Sequence, residues 1–211
     1  MGLYQSKIFP ALLEKLMAQS TLDPWRRELV ANLKGKGLEV GFGTGLNLPF
    51  YTDQVTSLDA IEPEAALGPY SAARIAAKIK DSPLGFSLHH LGGESLPFED
   101  ETFDFVVSSW TLCSIKELEK ALREIYRVLK PEGTFHFIEH GLSDKPKIKF
   151  WQNLLNPIQK RVGQGCNLNR DYRPFVEAAG FTFKQIDVFA MDQVPSLLNP
   201  AYFGRAAKTL G

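Results

Sequence analysis

Apolar side chains fall along this chain in two rhythms, one of helices and one of strands. Ile8, Phe9, Leu12, Leu13, Leu16 and Met17 recur at helical spacing, which predicts an amphipathic helix over residues 6–19. Short β-rich runs follow at 38–42 (LEVGF), 55–61 (VTSLDAI), 86–91 (FSLHHL), 103–108 (FDFVVS) and 134–139 (TFHFIE), most of them separated by stretches of helical character. Before the last of these, Ile115, Leu118, Leu122, Ile125 and Leu129 share one face of a helix predicted to start at Ser114, with Glu117 completing a capping box and Pro131 and Gly133 stopping it. Pro69 would break a helix running through 64–80, so a helix beginning at the proline is the alternative. A longer insertion occupies 145–180, and two late strands are expected at 181–189 (FTFKQIDVF) and about 201–208 (AYFGRAAK). Alternating β and α elements predict an α/β fold, a doubly wound and mostly parallel sheet covered on both faces.

Composition narrows the picture. A chain of 211 residues with 44% apolar side chains can bury one full core, so a single domain is expected, with a helical N-terminal part at about 4–33, a core at about 37–140, and the insertion and last strands at about 141–211. Lys and Arg together balance Asp and Glu at 24 each, which argues against a nucleic-acid partner and for a small-molecule ligand. Only Cys113 and Cys166 could form a disulfide, and no signal segment opens the chain, so a cytoplasmic protein with free thiols is expected. No apolar run approaches the ~20 residues that span a bilayer, so no stable membrane insertion is expected. Neither a metal-ligand constellation nor a Ser/His/Asp arrangement stands out, and nothing in the sequence sets the oligomeric state.

The candidate chemistry begins at LEVGFGTGLNLP, residues 38–49. In an open parallel sheet, ligands bind beyond the carboxyl ends of the strands where strand order reverses, and the loop after the first strand lies there. Gly41, Gly43 and Gly45 let the backbone turn sharply and approach a ligand without Cβ atoms in the way. A dinucleotide fingerprint would need a third small residue where Leu46 stands, so a pyrophosphate site is disfavoured. Glu39, two positions before Gly41, would repel a polyphosphate and tolerate a cation. Glu62 closes the second strand, where an acid can take a ribose diol. Ribose plus cation suggests a sulfonium nucleoside.

The pattern Glu39-x-Gly41-x-Gly43-x-Gly45 followed by Ile61-Glu62-Pro63 resembles the class I S-adenosylmethionine-dependent methyltransferases. The stretch from Gly92 to Gly141 is similar to the ubiquinone/menaquinone C-methyltransferase branch, and FWQNLLNP and GCNLNRD resemble bacterial relatives of the alkyl thiol methyltransferases. The resemblance implies a Rossmann-like seven-stranded sheet of order 3-2-1-4-5-7-6 with its last strand antiparallel, and S-adenosyl-L-methionine as cofactor with S-adenosyl-L-homocysteine as product. It places Glu39, the Gly41–Gly45 backbone, Leu46 and Asn47 toward the cofactor's methionine part, and Glu62 with Pro63 at the ribose. Gly93 and Glu94 fall at the adenine edge, where many relatives carry an Asp just before and this chain has Gly92. Ser108, Ser109 and Trp110 are implied to line the sulfonium end. The thiol enzymes carry an N-terminal hydrophobic anchor that the resemblance does not extend to, so membrane attachment is not expected to be inherited.

The implied activity is methyl transfer to a small, apolar acceptor, a thiol being favoured and a quinol or lipid amine being alternatives. A cofactor-binding module without transfer activity fits the same motifs. An acceptor pocket is expected between Glu139-His140-Gly141 and the insertion carrying Trp151, Cys166, Asn167, Asn169 and Arg170, with Tyr4 and the apolar face Ile8–Met17 closing over the site. His140, at the end of an apolar strand, is the candidate general base. Cys113 is read as core or pocket wall, His89 and His90 are given no role, and Asn199-Pro200 is read as a turn before the last strand.

Overall fold

The computed structural model describes residues 2–208; the last three residues of the 141–211 region lie outside the described part. Seven strands form one sheet in the order β3-β2-β1-β4-β5-β7-β6. They run β1 Gly35–Val40, β2 Val55–Ile61, β3 Gly85–His89, β4 Phe103–Ser109, β5 Leu129–His140, β6 Phe181–Ala190 and β7 Pro200–Lys208. β1 to β5 pair in parallel, while β7 is antiparallel to both β5 and β6, as the resemblance implied. The six α-helices among the described residues are α1 Phe9–Met17, α2 Asp23–Val30, α3 Gly68–Asp81, α4 Leu118–Val128, α5 Pro146–Val162 and α6 Arg173–Ala178.

Both faces of the sheet are buried, which is why its central strands read as near-continuous apolar runs. One core joins Leu38, Val40, Val106, Phe135 and Phe137 to Leu122 and Ile125 of α4, and the other joins Leu58, Ala60, Phe105 and Val107 to Leu29 and Val30 of α2. α3 begins at Gly68 with Pro69 in its first turn, where the missing N–H costs nothing.

Three expectations give way. α4 starts at Leu118 rather than Ser114, and the Glu117 side chain caps nothing. The backbone N–H groups of Thr111 and Leu112 donate instead to the carboxylate of Glu139, so residues 111–114 fold as a turn and the helix waits one turn. β5 starts at Leu129, with Pro131 and Gly133 inside it, because a shift of register between Phe103 and Phe105 of β4 absorbs the interruption. The N-terminal helical pattern divides into a π turn over Tyr4–Ile8 and α1, and Ile8, Leu12 and Leu16 stay half exposed. The insertion supplies α5 and α6. No helix among the described residues is long and apolar enough to cross a membrane.

Gly37 lies opposite Phe105 across the β1–β4 ladder, and a Cβ at Gly37 would sit 2.0 Å from the Phe105 ring. Gly37→Ala should therefore lower the unfolding free energy by about 1–3 kcal/mol through overpacking. Urea unfolding checks this, and adding Phe105→Leu should recover part of the loss. An unchanged midpoint in the single variant would mean that the ring can move aside freely.

Candidate active site

The glycine loop after β1 is held from both sides. Gly41, Gly43 and Gly45 all adopt positive φ (80°, 57° and 78°), a region that side chains other than glycine's rarely enter. A Cβ on Gly41 would lie 2.0 Å from Thr111 Oγ1, while one on Gly43 would meet nothing within 4 Å. The first glycine thus allows close packing against the loop after β4, and the second leaves open space at the crevice. Gly41 and Phe42 donate their N–H groups to the Ile61 carbonyl, and Gly43 donates to Glu62 Oε2 at 2.8 Å. Glu62 Oε1 accepts from the Glu64 N–H at 2.9 Å, and burial raises the pKa of this carboxyl against those bonds.

Glu39 is 1% exposed, and both of its oxygens are engaged by the protein. Asn47 Nδ2 donates to Oε1 at 2.8 Å, and the Tyr51 hydroxyl donates to Oε2 at 2.9 Å. The same Asn47 Nδ2 reaches Ser109 Oγ at 2.8 Å, joining the β1 loop to the end of β4 across the point where strand order reverses. Both oxygens of Glu39 are thus bonded within the protein, one of them to the same Asn47 that reaches β4. Burial pushes its pKa up to about 7 against the Tyr51 and Asn47 hydrogen bonds and the field of Arg26. Neither Tyr51 nor the buried Arg26, whose guanidinium lies 5.0 Å from the centre of the Trp110 ring, carries a motif that sequence reading could find.

Among the described residues, the buried atoms Asn47 Oδ1 and Ser108 Oγ have no partner, and neither do Glu139 Oε2 and His140 Nδ1 at the end of β5. With the open space at Gly43, Asn47 Oδ1 and Ser108 Oγ fit a polar ligand, and because they can accept hydrogen bonds they suit a cationic nucleoside better than a polyphosphate. At the position where the resemblance places the adenine edge, a Cβ on Gly92 would lie 2.6 Å from Glu94 Oε2, so the missing side chain makes room for the Glu94 carboxylate. Gly93 is buried close to Val40. Pro63 is exposed and Leu46 half-buried, and Trp110 adopts positive φ (49°) while its N–H donates to the Ile138 carbonyl.

On the expected acceptor side the structure gathers some residues and scatters others. His140 Nε2 lies 3.1 Å from Cys166 Sγ, and Cys113, from the loop after β4, joins them. Asn167 clamps this arrangement, its N–H and Nδ2 both donating to the Cys113 carbonyl at 3.0 and 2.8 Å. The hydrogen bond from Cys113, backed by His140, pushes the Cys166 thiol pKa down; the same bond, together with burial, pushes Cys113 up. Burial works to lower the His140 pKa, but Cys166 outweighs it and the pKa is raised. The Cys–Cys–His grouping escaped sequence reading because its members sit far apart in the chain. Trp151 turns outward on α5 and is 45% exposed; the buried residue beside it is Gln152, which binds the Ser143 N–H and the Gly141 and Leu197 carbonyls. Asn169 pairs with Asn153 on the surface, Arg170 donates to the Leu112 carbonyl, and the Tyr4 hydroxyl reaches the Val162 carbonyl at the end of α5.

A doubly wound sheet with a bare glycine loop and an acidic residue at the end of β2 defines a Rossmann-like class that binds a nucleoside cofactor at its strand-order reversal. The sequence matches the family described as Methyltransferase domain over residues 38–137. It is 34% identical over 196 residues to Thiol S-methyltransferase TMT1A of Homo sapiens, covering 87% of this chain and 78% of that protein. It is 30% identical over 145 residues to a Phosphatidylethanolamine N-methyltransferase of Cereibacter sphaeroides (65% and 68% covered), and 34% identical over 116 residues to the Ubiquinone/menaquinone biosynthesis C-methyltransferase UbiE of Enterobacter sp. (54% and 46%). Solved structures share the fold at low identity: a SAM-dependent methyltransferase from Aquifex aeolicus is 20% identical with a TM-score of 0.63 (95% of this chain and 98% of that one), and the YcgJ protein from Bacillus subtilis is 15% identical with a TM-score of 0.65 (90% and 99%). The chain belongs to the class I S-adenosylmethionine-dependent methyltransferases, and S-adenosylmethionine is its cofactor.

Buried Glu39 holds its proton up to about pH 7, whereas the unfolded chain releases it near 4.5, so this group's contribution to stability falls as pH rises through that window and is flat above it. Glu39→Gln, which keeps a donor and an acceptor in place, should lose this slope. The stability difference between variant and wild type should shift in the variant's favour between about pH 4.5 and 7. Urea midpoints across the window check it; parallel curves would mean that the carboxyl stays ionised throughout.

Proposed function

We propose that this chain transfers the methyl group of S-adenosylmethionine to a small apolar acceptor, with a thiol favoured over a quinol or a lipid amine. The observation that carries the reading is the reach of the similarity: the thiol S-methyltransferase relative aligns with 87% of this chain, the quinone C-methyltransferase relative with 54%. In this reading Glu62 takes the ribose hydroxyls, Glu94 and the Gly93 backbone meet the adenine, and Asn47 Oδ1 accepts from the cofactor's ammonium group. Ser108 and Trp110 line the end nearest the acceptor.

When bound, the cofactor supplies a methyl group already made electrophilic by its sulfonium. The chain's residues then have to hold, orient and exclude water, work that can lower a barrier by several kcal/mol without acid/base chemistry. Glu39 serves by fixing Asn47. His140 Nε2 is engaged by Cys166, so it could take a proton from an acceptor thiol through Nδ1, which has no partner among the described residues, or through Nε2 by releasing that sulfur. α1 serves as a lid over the loop, tied to it through Arg74, which binds both Glu14 and the Thr44 carbonyl. Hydrogen exchange in residues 4–19 should slow when S-adenosylhomocysteine binds, and unchanged exchange would leave α1 a static part of the fold.

Two measurements test the proposal. Glu62→Ala should weaken S-adenosylhomocysteine binding roughly 10- to 100-fold in calorimetry, the worth of about 1.5–3 kcal/mol of charge-assisted hydrogen bonding, with far-UV circular dichroism unchanged. With a panel of small thiols, quinols and lipid amines, S-adenosylhomocysteine should accumulate fastest with the thiols. Turnover confined to quinols or amines would overturn the thiol assignment, and no turnover with any acceptor would leave a cofactor-binding module.

A further inference from the structure

The grouping of Cys113, His140 and Cys166 carries chemistry that methyl transfer does not call on. Their ligand atoms, two Sγ and one imidazole nitrogen, all lie within 4.8 Å of one another. Around a tetrahedral zinc ion, with bonds of about 2.3 Å to sulfur and 2.0–2.1 Å to nitrogen, such atoms stand roughly 3.5–3.8 Å apart. His140 Nε2 and Cys166 Sγ lie 3.1 Å apart, so taking a metal would need this pair to open by a few tenths of an ångström and the other ligand atoms, all within 4.8 Å, to shift only slightly. We propose that Cys113, His140 and Cys166 form a binding site for a soft divalent cation, zinc, with three corners supplied by the protein and the fourth left to water or a small ligand.

Three features support this beyond proximity. The donor set is two thiolates and one imidazole, the combination zinc takes in sites that keep a position open. Two thiolates with a neutral imidazole balance a divalent ion, so the occupied site carries no net charge into the interior. The ligands also come from three separate segments that the fold fixes before any ion arrives. Cys113 stands on the loop after β4, whose Thr111 and Leu112 N–H groups are held by Glu139, and His140 ends β5 with its carbonyl bound by the Tyr172 hydroxyl. Cys166 stands on the loop that Asn167 pins to the Cys113 carbonyl. The site adjoins the strand ends where the glycine loop lies, and metal binding there is independent of which acceptor the enzyme uses.

Metal content and thiol reactivity test the proposal on the whole chain. The protein, reduced, stripped of metal and retitrated with Zn2+ against a chromophoric chelator, should take up one equivalent, and Co2+ in its place should give the thiolate-to-metal charge-transfer absorption and intense visible bands of a tetrahedral site. Cys166→Ser and His140→Ala should each weaken zinc binding by more than the roughly 10- to 100-fold lost with an outer-sphere partner. In the wild-type protein, zinc should protect both thiols from alkylation, a readout that does not depend on how well any variant folds. Failure to bind an equivalent of zinc by folded, reduced protein would overturn the proposal. So would zinc binding that survives both substitutions, or a Cys113–Cys166 disulfide that persists under reductant. Because none of these readouts involves methyl transfer, their failure and the failure of the thiol reading are separate results.

Discussion

A carboxyl group buried at the end of a parallel strand must find hydrogen-bond donors, since a buried polar group left without them costs about 1–3 kcal/mol, and more if charged. At Glu39, which ends in the interior between β2 and β4, the donors are Asn47 and Tyr51, and Asn47 brings Ser109 with it. At Glu139, two strands along, the donors are the N–H groups of Thr111 and Leu112. These requirements set the paths of the glycine loop and of the loop after β4. They also decide where α4 can begin. The bonds to these acids shape the crevice at the carboxyl edge of the sheet, even though Glu139 Oε2 itself has no partner among the described residues.

Glu62 works by the same rule with a different outcome. Its oxygens accept from Gly43 and Glu64, both of them backbone donors on the two sides of the crevice, so it ties the glycine loop to the end of β2. Each carboxylate oxygen can accept a second bond. The group that braces the loop can therefore also hold a ribose. Asn47 Oδ1 and Ser108 Oγ are the converse case, buried acceptors whose partner is absent from the protein itself. Together they give the crevice a polar floor.

Much of this was legible along the chain. Strand positions apart from the start of β5, a helix starting beside Pro69 and the sheet order implied by the family resemblance all appear in the structure, because each depends on local periodicity or on a short motif, whereas the turn expected at Asn199-Pro200 lies at 196–198 and Pro200 opens β7. Amphipathic pattern did not tell which side of a helix meets the core. α5 exposes Phe150, Trp151, Leu154 and Ile158 and buries Gln152, so an aromatic residue named for the pocket is 45% exposed while an unnamed amide holds the insertion in place.

By itself, the sequence determined the class of fold, the glycine loop and the acids flanking it, since strand periodicity and the absence of Cβ atoms are properties of neighbouring residues. Only the tertiary structure decided what those acids do. Glu39 looked like a charge waiting for a cation, yet its oxygens are used by Asn47 and Tyr51, and its pKa is pushed up by burial that no local pattern records. Cys113, His140 and Cys166 look unrelated in sequence because they stand on separate loops, and they meet only after β4, β5 and the insertion have packed. Burial and long-range pairing are created by folding, and the charge state and partners of a buried group depend on both.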